Sequence, residues 1–146
     1  MTEAGGERRV IRDANGRAKA YRPISAMDRS AAVAAGLRAY EDGDFFEAHE
    51  LMEPAWMGSD DPAERDLISG LIKLAAADVH GVRGNPRGVA RNLEGARDRL
   101  RRALTDGRVA GIELDVGELV DAIDVRLAAL AADHATEPIA ITWRTR

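Results

Sequence analysis

Residues 61–82 read DPAERDLISGLIKLAAADVHGV, and the fold follows from this stretch. Asp61 ahead of Pro62 is a capping residue followed by the residue best suited to the first helical position, and Glu64 adds an acid to the first turn. Beyond them Leu67, Ile68, Leu71, Ile72, Leu74, Ala75, Val79 and Val82 leave almost no polar face. A helix that is apolar nearly all round is buried on all sides. Residues 62–82 are therefore expected to form the central helix, with the remaining elements packed around it.

The same punctuation recurs outward from this stretch. Asn85-Pro86 repeats the cap-then-proline pattern, Asp44 with Glu47 and Asp115 with Glu118 have capping-box spacing, and Ser25 with Asp28 is a weaker start. These starts predict helices over 26–41, 44–57, 62–82, 86–105 and 116–132. Val116, Leu119, Val120, Ile123, Leu127 and Leu130 fall on one apolar stripe. Gly43, Gly84 and Gly107 stand where helices would end. The segments GDFFEA (43–48) and GNPRGV (84–89) each link one helix to the next, like turns of helical-hairpin repeats of the tetratricopeptide type. The expected fold is all-α: a compact bundle of about five helices, built from two helical hairpins with tetratricopeptide-like turns plus a C-terminal helix. Residues 1–24 show no helical period, with a turn at Asp13-Ala14-Asn15-Gly16, and are read as an extended arm. Residues 25–135 form the single helical domain. Residues 136–146 form an extended tail, in which Ile139, Ile141 and Trp143 alternate with Ala140, Thr142 and Arg144 and face the bundle.

Composition narrows the function classes. The chain has 146 residues, 45% hydrophobic and 32% charged, with 27 alanines, which suits one soluble helical domain. No apolar run approaches the ~18–20 residues of a membrane span, and no apolar core follows the N-terminus, so a soluble, cytoplasmic protein is expected. With no cysteine there is no disulfide, no thiolate metal site and no cysteine nucleophile. The net charge of −4 is unevenly spread: residues 41–66 carry −9 and residues 112–137 carry −6, against +4 over 1–40 and +5 over 83–108. Such segments neutralise one another across helix seams in a small domain, so no nucleic acid partner is expected. The complementary charges and the apolar central helix together favour a homodimer.

One polar group stands out. At about 100° per residue, Phe45, Phe46, Met52, Glu53 and Trp56 all fall within about 60° of His49. An imidazole and a carboxylate are thus expected in the middle of an aromatic face, where burial costs several kcal/mol unless each finds a partner. Glu50 lies at the border of this face, and Glu47 lies outside it and is assigned to the helix cap. On the central helix Ser69, Lys73 and His80 share one stripe. If the two helices are antiparallel neighbours, His49, Glu50, Glu53, Trp56, Lys73 and His80 line a pocket. It would bind a small polar or anionic ligand through Lys73, His49 and His80, with Glu53 orienting an imidazole. Catalysis there would fall to His49 and Glu53 as a general-base pair.

Each residue also has a structural reading. His49 and Glu53 would be a register-fixing core pair, Glu50 a partner of Arg87 or Arg91, and His80 a cation at a helix C-terminus. Lys73 would snorkel or pair with an acid, and Trp56 would be a core aromatic. On that reading the chain is a non-catalytic interaction module whose hairpins present a groove to a peptide or a second copy. A metal set would use His49, Glu53 and His80, with Glu50 in reserve. The spacing matches neither the zinc-hydrolase nor the di-iron pattern, and Lys73 would repel a cation, so no metal is expected. Nucleophilic triads, phosphate loops and dinucleotide fingerprints are absent.

The stretch FFEAHELMEPAW (45–56) is similar to the signature of a small bacterial and archaeal family known as domain of unknown function 309. Its pattern continues through Glu64-Arg65-Asp66-Leu67, Gly70-Leu71-Ile72-Lys73-Leu74-Ala75, His80 and Arg83-Gly84-Asn85-Pro86-Arg87-Gly88, so the resemblance spans roughly residues 36–104. It implies an all-helical bundle and no established activity, and its motif falls on His49, Glu50, Glu53, Trp56, His80 and Asn85. This chain departs from it at Lys73, where members carry glutamine, and at Pro54, which should kink the helix beside the pocket.

Overall fold

A computed structural model describes residues 10–12, 18–104, 108, 109 and 111–145. Five helices form within two residues or so of the predicted bounds except at one end: α1 (Ala26–Glu41), α2 (Phe45–Met57), α3 (Pro62–Val82), α4 (Pro86–Arg102) and α5 (Val116–Ala131). The protein is an all-helical bundle. The fourth helix stops three residues short of its predicted end, and the expected stop at Gly107 lies outside the described residues, as does the turn at 13–16.

Four of the five predicted caps close as the sequence suggests. The side chains of Ser25, Asp61, Asn85 and Asp115 each accept a hydrogen bond from a first-turn backbone N–H, at 3.0, 3.2, 3.2 and 3.0 Å. The expected capping box at Asp44 and Glu47 does not form. Asp44 makes no side-chain cap, and the helix begins one residue later, at Phe45. The reason is the turn before it. Gly43 has φ +83°, its N–H bonds the Tyr40 carbonyl, and the Asp44 N–H is drawn back to the Ala39 carbonyl at 2.9 Å. This paired closure is a Schellman motif, with glycine in the left-handed position. The same closure ends α3: Gly84 has φ +69°, and the Gly84 and Asn85 N–H groups bond the Gly81 and His80 carbonyls. The two hairpin turns read as repeats in the sequence are thus the same backbone device.

The hairpin α1–α2 and the hairpin α3–α4 pack through α2 and α3, and α5 packs on α4. As expected, α3 is the most deeply covered helix, with Leu67, Ile68, Leu71 and Leu74 wholly inaccessible. Glycines set two close approaches: a Cβ at Gly36 would lie 2.3 Å from Met52 Cγ, and one at Gly70 would lie 2.7 Å from Leu100 Cγ. The tail alternates as predicted, with Ile139 and Ile141 buried and Ala140 and Thr142 exposed. Two small antiparallel ladders are additions that helical patterning does not reveal. A hairpin pairs β1 (Val10–Arg12) with β2 (Ala18–Ala20), and β3 (Ile112–Leu114) pairs with β4 (Trp143–Thr145) in the tail. Among the described residues, no helix is long and apolar enough to cross a membrane.

Charge segments neutralise across seams, with α4 as the bridge. Arg102 reaches Asp66 on α3, and Arg97 and Arg101 reach Asp124 on α5.

Candidate functional site

The buried residues of α2 are Ala48, Met52, Ala55 and Trp56, so the centre of its buried face lies about 75° round the helix from His49. The aromatic clustering misplaced the face. Phe46 is 62% exposed, and the small residues Ala48 and Ala55, which aromatic clustering ignores, sit deepest because α1 approaches closely over Gly36. His49 and Glu53 consequently stand at the shoulder of the helix, half-buried, and not in the middle of a core face. The His49 side chain is 27% exposed and that of Glu50 is 56% exposed.

This shift changes the pairing at His49. Its Nδ1 lies 3.2 Å from Glu50 Oε1. Glu50, and not Glu53 as the sequence suggested, therefore holds the ring in the arrangement shown. With Nδ1–H donating to that carboxylate, Nε2 is left as the acceptor nitrogen, the arrangement a general base or a hydrogen-bonding anchor needs. One donor atom from each of His49, Glu50 and Glu53 lies within 4.8 Å of the others.

Lys73 is 8% exposed on the most buried helix. Its side chain runs across Gly95 of α4, where a Cβ would come within 2.8 Å of Cδ and 3.2 Å of Nζ. The missing side chain at position 95 is what gives the lysine stem its berth. Trp56 and Ser69 border one cavity where α2, α3 and α4 meet. Since α2 and α3 run antiparallel through a short turn, one helical turn away from that cavity along each helix brings Glu53 and Lys73 to the same level. His49, Glu53 and Trp56 from α2 and Ser69 and Lys73 from α3 therefore follow a single seam.

His80 is not gathered into it. Its Nδ1 lies 3.1 Å from Asn85 Nδ2, and its ring fills the space a Cβ at Gly88 would need, 2.4 Å away. The residue belongs to the α3–α4 turn, which it shapes together with the Asn85 cap. Pro54 is exposed on α2, and the helix runs on through it to Met57.

A second polar cluster had no sequence signal. On the opposite side of α3, Asp78 is 2% exposed and accepts a 2.8 Å ion pair from Arg126 of α5, itself 7% exposed. The Tyr40 hydroxyl lies 3.1 Å from the Asp78 carboxylate and 2.7 Å from the Ile139 carbonyl oxygen, and Arg126 Nε donates to Thr136 at 3.0 Å. Burial, followed by the Asp78 charge and hydrogen bond, pushes the Tyr40 phenol far above its ordinary range. Arg126 Nη1 is the one atom of this group that finds no partner among the described residues. Tyr40 stands 38 positions from Asp78 and 99 from Ile139, so no local spacing rule could collect them.

The fold is a small helical-hairpin bundle with a polar cavity where α2, α3 and α4 meet. Residues 33–92, from α1 into α4, match the family described as Domain of unknown function (DUF309), the family the sequence motif resembles. The match covers every motif position named above, from His49 to Asn85. No curated protein and no solved structure matches the chain.

Proposed function

We propose that the protein binds a small polar or anionic ligand in the seam between α2 and α3, in the cytoplasmic setting the sequence suggests. The observation that carries this reading is the half-exposure of His49 and Glu53. A register-fixing pair would be closed off, whereas here the imidazole is oriented by Glu50 from the solvent side. In this reading His49, Glu50 and Glu53 supply hydrogen-bonding and acid–base groups, Trp56 supplies an apolar wall, and Lys73 supplies a desolvated positive charge. His80 shapes the neighbouring turn and acts on the ligand only through it. A catalytic version would use His49 Nε2 as general base with Glu50 behind it. The test is a thermal-shift screen of metabolites, with and without divalent metals, on wild type and His49→Ala. A ligand that raises the wild-type melting temperature and leaves the variant unmoved is expected. A hit that stabilises both equally contradicts the reading.

A second reading has its own observation. Phe46 and Val82 are 62% and 77% exposed and border one largely apolar cavity of about 440 Å³ at the α1–α2 turn. That surface suits a second copy of this chain, the homodimer the composition favours. Sedimentation at micromolar concentration should then show twice the monomer mass, and Phe46→Ser should return it to the monomer.

A further inference from the structure

Beside Ser69, α3 and α4 border a polar cavity of about 180 Å³ lined by Arg65, Asp66, Ser69, Arg99 and Arg102, with Trp56 of α2 at its edge. Three guanidinium groups share it with a single carboxylate. That carboxylate is already committed: Asp66 takes both its oxygens to Arg102, at 3.1 and 3.2 Å. Arg99 has only a long 3.5 Å bond to the Gly95 carbonyl one turn back. Among the described residues, no carboxylate lies within ion-pair distance of Arg65 or Arg99. Burial, and next the neighbouring Arg102 charge, lower the Arg99 pKa from its ordinary value, with the Asp66 and Asp98 charges acting against them. Ser69 is more than nine-tenths buried at the cavity wall, and its hydroxyl makes no hydrogen bond to another described residue.

We propose that this cavity is a phosphoryl-oxyanion site, in which Arg99 and Arg65 grip the anion and the Ser69 hydroxyl donates to it. Arg65 and Arg99 form no ion pair with a described carboxylate and border the cavity beside the Ser69 hydroxyl, while its one carboxylate, Asp66, is taken up by Arg102; the planar guanidinium fork matches the oxygens of phosphate. The volume limits what enters. Pockets for whole drug-sized ligands run to about 300–1,000 Å³, so this one holds the charged group while the rest of a small phosphorylated molecule lies outside it. Trp56 forms the apolar rim on the side of α2. The proposal does not depend on the His49 group. It adds a site to the seam and stands or falls separately.

The experiment is a calorimetric titration of the full chain at low ionic strength, with inorganic phosphate in one arm and glycerol phosphate in the other. Saturable binding in the range of about 1–10 mM is expected for the wild type. Tighter binding of glycerol phosphate would mean that an organic phosphate is the occupant, and equal binding that free phosphate suffices. Arg99→Gln and the near-isosteric Ser69→Ala should each weaken binding, the first by about tenfold or more, while melting curves show both folded. His49→Ala should bind phosphate as the wild type does. Arg101→Gln serves as the charge control, because Arg101 is exposed, faces Asp124 and lies outside the cavity. No saturable binding by the wild type overturns the proposal. So does equal weakening by Arg101→Gln and Arg99→Gln, since the anion would then be answering to diffuse charge alone.

Discussion

Two polar clusters flank α3, and they solve the same problem in opposite ways. Asp78 lies about 140° round the helix from Lys73 and about 180° from Ser69, so each cluster has a side to itself. On the Asp78 side the groups are deeply buried, and nearly all are paired, with Tyr40, Arg126, Thr136 and the Ile139 carbonyl converging from α1, α5 and the tail. On the other side Lys73 and Ser69 are also buried, but His49 and Glu53 beside them are half-buried, and Ser69 borders a cavity in which arginine is in excess. A closed network holds elements together, because removing any member strands the others away from water. A cluster that water can reach adds less to stability, because solvent can replace a lost partner. The difference separates a region whose charges are paired in the interior from one that borders a cavity with arginine in excess.

The largest expected effect breaks the closed side. Asp78→Ala leaves Arg126 buried without its carboxylate and should cost about 3–5 kcal/mol in a urea titration. A cost below about 1 kcal/mol would mean that water already reaches this network.

Next is Tyr40→Phe, which removes the hydroxyl that ties α1 to the tail and should cost about 1 kcal/mol at neutral pH. A pH signature accompanies it. The folded state raises the Tyr40 pKa above its unfolded value, so this contribution is fully present below about pH 10 and falls as pH rises above it. The slope is about 1.4 kcal/mol per pH unit from this one proton. Stability measured from pH 9 to 11 should fall more steeply for the wild type than for Tyr40→Phe, and parallel curves would contradict the burial of the phenol.

On the open side the effects shrink. Lys73→Gln, the residue of the resembling family, should leave the fold intact, with a melting temperature within the ~4–8 °C that 1 kcal/mol represents in a small domain. A larger drop would make Lys73 part of a stabilising network after all. The smallest effect is the coupling between His49→Ala and Glu50→Ala. For a pair this exposed a double-mutant cycle should give about 0.2–1 kcal/mol, and a coupling several times larger would show that the shoulder of α2 is covered in solution.

These contrasts also explain what was legible in the sequence. Helix bounds were written in local chemistry: Asp61-Pro62, Asn85-Pro86, Asp115 and Ser25 act within four residues of themselves, and four of the five caps form. Asp44 failed because the Schellman closure at Gly43 commits the backbone first, which capping rules applied one helix at a time do not see. The seam was half legible. Helical spacing placed His49, Glu53 and Trp56 on one stripe and Ser69 with Lys73 on another. The buried face of α2, however, depends on how closely α1 approaches over Gly36, and aromatic residues outweighed the alanines that mark it. His80 shared the stripe of Lys73 but was claimed by Asn85 and Gly88, a contact made by the turn and not by the helix period. Arg65, Asp66, Arg99 and Arg102 converge only once α3 and α4 pack, and within a chain so rich in arginine they carry no mark of their own.

The central claim, that the polar seam of α2, α3 and α4 is a ligand site while the Asp78 network is a structural clamp, is tested most directly by amide chemical-shift mapping. The 1H–15N spectrum would be followed during titration with the strongest stabilising compound from the metabolite screen. The account predicts saturable shifts confined to residues 49–56, 65–73 and 95–102, with Tyr40, Asp78, Arg126 and Thr136 unmoved. Shifts centred on the Asp78 network, or a saturating ligand that leaves all three stretches of the seam untouched, would contradict it.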